Sequence, residues 1–176
     1  VKIEPKTNKI GKVSEIVEKP SPDVAPSNLA VVGRYILSPR IFDLLESTGE
    51  GAGGEIQLTD ALQSMIDDGS ILGTINSGKW FDCGKKESLL EANRFILSKN
   101  KESEIYSKME NTIIIHPVAI QENCHISNSI IGPYVSIASG TTVKRGILSS
   151  SIIGNRTSIE NVNLNDSIIG DEVKLV

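Results

Sequence analysis

Glu18 and Lys19 stand side by side at the head of "EKPSPDVAPSNLAVVGRYILSP", residues 18 to 39, with Pro20, Pro22 and Pro26 close behind. A carboxylate next to an ammonium offers a hydrogen-bond acceptor and a mobile positive charge in one place. The prolines limit the freedom such a loop loses when it is ordered. On these residues alone the pair also reads as an ordinary solvated ion pair at a strand end. Gly33 and Tyr35 follow on the run "LAVVGRYILS". Glycine admits a close approach to backbone, although both residues also have structural readings. Arg34 alternates onto the opposite face of such a run and is set aside as a ligand. Asp82, in "WFDCG", reads on its own as the cap of a turn before Gly84. Cys83 beside it reads as a small buried hydrophobe.

The elements that must hold these groups change character near residue 111. Before it, "GKVSEIVEKP" alternates as a strand, and Leu29 to Ser38 is a continuous β-branched run of the kind buried on both faces. "SPRIFDLLEST" predicts a helix with Ser38 as N-cap, Pro39 as its first residue, and Ile41, Leu44 and Leu45 inward. Thr59 is expected to cap a second helix, with Leu62, Met65 and Ile66 inward and Gly69 ending it. "ILGTINS" and "KWFDCG" read as short strands. "ESLLEANRFILSKN" is an amphipathic helix, with Leu89, Leu90, Asn93, Ile96 and Leu97 at helical spacing.

After residue 111 the chain repeats itself. "SIIGPYVSI", "SIIGNRTSI" and "SIIGDEVKL" start at positions 129, 151 and 167. Aliphatics recur every five or six residues as Ile114, Ile120, Ile126, Ile131, Ile137, Val143, Leu148, Ile153, Ile159, Leu164, Ile169 and Leu175. Neither a helix nor a flat strand has this period. A triangular parallel β-solenoid does, with one aliphatic per face pointing into its shaft. Asn, Ser and Gly suit its corners, where positive φ is needed. "HPVAIQENCHI" is expected to form the first turns, with His116 and His125 at corners. Two histidines are too few for a metal site. The predicted division is a first domain over 1–100, a linker over 101–111 and the solenoid over 112–176.

Composition narrows the function classes. Hydrophobic residues make up 39% and charged residues 23% of 176, as in a soluble globular protein. A net charge of −4 gives no reason to expect nucleic acid or an anionic membrane as partner. No apolar run approaches the roughly 20 residues of a membrane span. Cys83 and Cys124 lie far apart and form no CxxC, which reads as reduced thiols in a cytoplasmic protein.

"VEKP" (17–20), "VVGRYILSP" (31–39), "GAGGEIQLTDAL" (51–62) and "WFDCG" (80–84), in this order, resemble the sugar-1-phosphate nucleotidyltransferases. The likeness is to glucose-1-phosphate uridylyltransferases and to long-form thymidylyltransferases, and it covers essentially the whole chain. It implies an α/β domain with part of a Rossmann-like mixed sheet, then a left-handed parallel β-helix of hexapeptide repeats. It also implies transfer of a nucleotidyl group from UTP or dTTP to a sugar 1-phosphate, glucose 1-phosphate foremost, with release of pyrophosphate. Glu18 would accept hydrogen bonds from sugar hydroxyls, Lys19 would pair with the phosphate, Gly33 would let the sugar approach the backbone, and Tyr35 would line the pocket. Asp82 would be one of two aspartates on a catalytic Mg²⁺.

Departures from the family pattern matter as much. The glycine-rich triphosphate loop and the second metal aspartate of the family have no counterpart here. The chain therefore reads as a C-terminal portion of a longer enzyme, inactive in transfer by itself, with apolar surface left uncovered where sheet strands are missing. Gly53 stands where short-form thymidylyltransferases carry a phosphate-contacting arginine. Two other classes remain open: a hexapeptide acyltransferase, for which three to four coils are few, and a non-catalytic assembly module. A homo-oligomer is expected, since solenoid ends invite capping by a neighbour.

Overall fold

The computed structural model describes residues 1–7, 10–51, 54–68, 71–76, 78–99 and 107–176. Gly53, Gly69 and positions 101–106 of the expected linker lie outside the described residues. The chain divides into two compact units, Val1–Trp80 and Phe81–Val176.

In the first unit a small antiparallel sheet has the order β1 (Lys2–Pro5), β2 (Ile10–Glu15), β3 (Leu72–Thr74). Gly11 in the central strand is required by contact: a Cβ there would lie 2.2 Å from Ile3 Cγ2 and 2.6 Å from the Glu4 carbonyl oxygen. Two helices complete the unit, α1 (Arg40–Ser47) and α2 (Leu58–Asp67). Val13 and Ile16 meet Ile41, Ala61, Leu62, Met65 and Ile66 in one core, with Leu44 and Leu45 packed against it. The inward residues predicted for both helices are thus found there.

Several expectations for this unit are corrected. Pro39 is already helical at φ −56° and ψ −21° and the Ser38 carbonyl accepts from the Ile41 N–H, so the expected start of α1 is found, but no side-chain hydrogen bond caps it. Thr59 does not cap α2; it lies inside the helix and is buried, while Gln57 precedes the first turn. Residues 29–38 form no strand. Val31, Val32 and Tyr35 are exposed, and Ile36 is fully so at 103%. A β-branched run becomes a buried strand only when neighbours pair with it on both sides. The three strands described here pair with one another and not with this run. The expected strand at "KWFDCG" is likewise absent; Lys79 to Asp82 carry no regular structure, and Cys83 and Gly84 form a turn.

The second unit opens with α3 (Lys86–Lys99) and continues as a parallel β-solenoid of about four turns. One face comprises β4 (Lys108–Glu110), β7 (His125–Ser127), β10 (Thr142–Lys144), β13 (Ser158–Glu160) and β16 (Lys174–Leu175). The second comprises β5 (Ile113–Ile114), β8 (Ile130–Ile131), β11 (Ile147–Ser149) and β14 (Asn163–Asn165). The third comprises β6 (Val118–Ile120), β9 (Val135–Ile137), β12 (Ile152–Ile153) and β15 (Ile168–Ile169). Ile120, Ile126, Ile131, Ile137, Val143, Leu148, Ile153 and Ile159 fill the shaft, and Ile114, Leu164, Ile169 and Leu175 pack on them. Ile113, Ile130 and Ile147 stack in register 17 residues apart, with Asn163 following after 16. The five-residue steps of the sequence are these shortened coils.

Corners and buried hydroxyls fasten coil to coil. Asn111, Asn128, Arg145 and Asn161 all take positive φ, between 45° and 56°. Within the shaft, the Thr141 hydroxyl donates to the Gly154 carbonyl at 2.7 Å and accepts from the Thr157 N–H at 3.2 Å. Ser129 and Ser151 likewise donate within their own coil and accept from an N–H of the next. Helix α3 is tied to the third face: Asn93 Nδ2 donates to the Tyr134 carbonyl (3.3 Å), and the Ser136 hydroxyl donates to Asn93 Oδ1 (2.6 Å). Arg94 reaches Ser150 (3.2 Å) and Asp166 (3.5 Å). Two corrections belong here. Ile96 is exposed, while Phe95 pairs with Phe81 at 5.3 Å. His125 opens strand β7 and is not a corner residue.

Candidate functional site

The first unit contains a cavity of about 510 Å³ lined by Glu18, Lys19, Gly33, Tyr35 and Thr59 together with the chain from Pro26 to Val31. That size falls among small-molecule sites, which span about 300–1,000 Å³. Four of the five residues singled out from the sequence therefore share one wall-to-wall space.

Their placement follows from the fold. The Ile16 N–H, just past the end of β2, donates to Gln63 Oε1 at 2.9 Å. This bond anchors the chain to α2 two residues before Glu18, so the start of the Glu-Lys-Pro turn is held by the helix that carries Thr59. Lys19 takes a left-handed φ of 39°, uncommon for a long side chain. Its Nζ lies 3.9 Å from Glu18 Oε1, and its side chain is 91% exposed. So solvated a pair adds little to stability, and the ammonium is available to an anion. Gly33 sits at φ +71° with nothing within 4 Å of the position a Cβ would take. Its glycine is needed for backbone conformation, and the open space is where a ligand could approach. Burial, and then the negative charge of Glu18, push the Tyr35 phenol above its ordinary pKa. The phenol, protonated at neutral pH in any case, keeps its proton to higher pH here. Arg34 is not part of the lining; its guanidinium donates to the Gly33 carbonyl at 3.2 Å.

Asp82 belongs to the other unit. It is exposed, and its Oδ1 accepts from the Gly84 N–H at 3.2 Å. Its remaining oxygen can still serve a cation. Among the described residues no group of three or more His, Cys, Asp or Glu gathers as a metal cage. A single carboxylate nevertheless suits Mg²⁺, which takes one or two carboxylates with substrate phosphates and waters. Cys83, expected to be buried, is exposed in the turn that follows Asp82; Cys124 is buried, and both thiols are free.

Thr59 is the lining residue the sequence reading missed. Its residue type suggests a cap, yet Thr59, Leu62 and Ile66 recur at the spacing of the buried face of α2. That periodicity was the signal.

The chain matches the Nucleotidyl transferase family over residues 1–99, more than half its length, and a GlmU-like, C-terminal hexapeptide family over residues 88–145. It is 56% identical over 86 residues to a UTP–glucose-1-phosphate uridylyltransferase of Pseudomonas aeruginosa, covering 49% of this chain and 31% of that protein. A protein of the same name from Haemophilus influenzae is 53% identical over 81 residues, 46% of this chain and 28% of that one. The low-salt glycan biosynthesis nucleotidyltransferase Agl11 of Haloferax volcanii is 32% identical over 181 aligned positions, which cover 91% of this chain and 50% of Agl11. The chain spans half or less of the length of these relatives.

Proposed function

This chain belongs to the nucleotidyl transferase family, and we propose that its cavity binds the sugar 1-phosphate, glucose 1-phosphate foremost, that accepts the nucleotidyl group. The observation that carries this reading is the gathering of Glu18, Lys19, Gly33 and Tyr35 around one small-molecule space. Glu18 accepts hydrogen bonds from sugar hydroxyls, and Lys19 neutralises the phosphate. Gly33 leaves room for the ring, and Tyr35 donates from the side. With the phosphate fixed, one of its oxygens can attack the α-phosphorus of a nucleoside triphosphate in line, and pyrophosphate departs. Such a step depends on positioning and charge stabilisation more than on covalent help. Asp82 would be a ligand of a Mg²⁺ ion, whose chemistry is charge neutralisation. UTP, the nucleotide in the names of two of these relatives, is favoured over dTTP. The 176-residue chain is expected to bind sugar phosphate without transfer, because its sequence offers no glycine-rich triphosphate loop. Two free thiols support a reducing, cytoplasmic setting.

Calorimetric titration with glucose 1-phosphate, with and without Mg²⁺, tests this reading. A hydrogen bond to a charged group contributes about 1.5–3 kcal/mol, so Lys19→Ala should weaken binding roughly 10- to 150-fold. Equal affinity in the two proteins would refute it.

A second role rests on a separate observation. Ile113, Ile130 and Ile147 form an outward ladder on one solenoid face, with Ile113 60% and Ile147 47% exposed. The third face carries α3, and the first presents Lys108, His125, Thr142 and Ser158. We propose that the isoleucine face joins copies of the chain into a homo-oligomer. Light scattering tests this, and a monomer at micromolar concentration would contradict it.

A further inference from the structure

We propose that the Thr59 hydroxyl is a ligand-positioning group of this cavity, hydrogen bonded to an oxygen of the bound sugar phosphate. The proposal rests on the sugar-phosphate reading of the cavity. Buried hydroxyls in this protein are otherwise satisfied: those of Ser129, Thr141, Ser151 and Thr157 each donate to a carbonyl. Among the described residues, Thr59 Oγ1 is the one buried side-chain polar atom without a partner. Thr59 is only 9% exposed, and it lines the cavity that holds Glu18 and Lys19. An orphaned hydroxyl of this kind is costly to keep, and a hydrophobe of the same shape would remove the penalty. Oγ1 itself is closed to solvent, so a ligand oxygen in the cavity becomes the missing partner once the Thr59 side chain turns toward it.

The position strengthens the assignment. Thr59 is the second residue of α2, in the first turn, where N–H groups lack intrahelical acceptors and the helix end is partially positive. An electron-rich oxygen suits that end, whether it belongs to phosphate or to a sugar hydroxyl. The acidic group nearby, Asp60, has Oδ2 3.0 Å from the site of a Gly51 Cβ, so its carboxylate is directed at Gly51. Threonine has two accessible χ1 rotamers in a helix, so one rotation can re-aim the hydroxyl as the ligand arrives.

The test titrates glucose 1-phosphate and, separately, inorganic phosphate into the wild-type chain, Thr59→Val, Thr59→Ser and Lys19→Ala. Thr59→Val should bind glucose 1-phosphate about 5- to 20-fold more weakly, while Thr59→Ser stays within about twofold of wild type. Thr59→Ala, with the same loss expected, replaces the valine variant if that one does not fold. A matching loss for inorganic phosphate assigns the bond to the phosphate; a loss confined to glucose 1-phosphate assigns it to a sugar hydroxyl. Unchanged affinity in Thr59→Val, with binding weakened at least about 10-fold in Lys19→Ala, would overturn the proposal and leave the cavity reading standing. No glucose 1-phosphate binding by the wild-type chain would overturn both.

Discussion

Two buried threonines should respond to one substitution with opposite signs. Thr141 is fully buried in the solenoid, and its hydroxyl makes two bonds between coils, one to the Gly154 carbonyl and one from the Thr157 N–H. Thr141→Val keeps the shape and deletes both. Each lost bond is worth about 1 kcal/mol, and each stranded partner adds desolvation of about 1 kcal/mol or more, so the loss should be about 2–4 kcal/mol. Thr59→Val, in the first unit, deletes a hydroxyl that bonds nothing. That change should stabilise the ligand-free chain by about 1 kcal/mol. Because the units can unfold separately, hydrogen exchange read peptide by peptide is the suitable assay. Faster exchange around Thr157 in the first variant and slower exchange across α2 in the second are expected. Destabilisation of similar size in both would refute the reasoning, since Thr59 would then have a partner after all.

Gly33→Ala places a Cβ at φ +71°; a strain of roughly 1 kcal/mol and a methyl in the ligand space should lower glucose 1-phosphate affinity several-fold, measured by calorimetry. Ile147→Asp, on the exposed ladder, should shift light scattering to the monomer mass while the β-structure seen by circular dichroism persists. Tyr35 has a folded pKa raised above its ordinary 10.0, by burial first and Glu18 second. The unfolded chain therefore loses this proton first, and the contribution to stability is intact below about pH 10 and fades as pH rises through the folded value. Tyr35→Phe should remove that alkaline step from a stability profile, and an unchanged profile would show that the phenol is not held neutral.

The solenoid was legible because each of its coils carries its own instructions. An inward aliphatic every five or six residues and small or polar residues at the corners are local features, and all twelve shaft residues from Ile114 to Leu175 were found where the period put them. Arg145, Tyr134 and Glu172 also take positive φ at corners, which residue type alone does not signal. The first unit was less legible. Residues 29–38 have strand composition, yet a strand is a property of pairing, and no described strand pairs with them. Thr59 was misread because capping preference and buried periodicity compete at one position, and periodicity won. In α3 the helical spacing did not distinguish Phe95 from Ile96; the ring of Phe81 did. As for the site, Glu18, Lys19, Gly33 and Tyr35 were marked by spacing that resembles a family, and the cavity gathers them. Asp82 sits in the other unit with the turn-cap geometry that was its plainer reading.

The most direct measurement is a crystal structure of this chain grown with saturating glucose 1-phosphate. The account predicts the phosphate beside Lys19 Nζ, the sugar hydroxyls facing Glu18, and a ligand oxygen within hydrogen-bond distance of Thr59 Oγ1. A ligand seated elsewhere, or a cavity left empty at a concentration that saturates binding in solution, would contradict it.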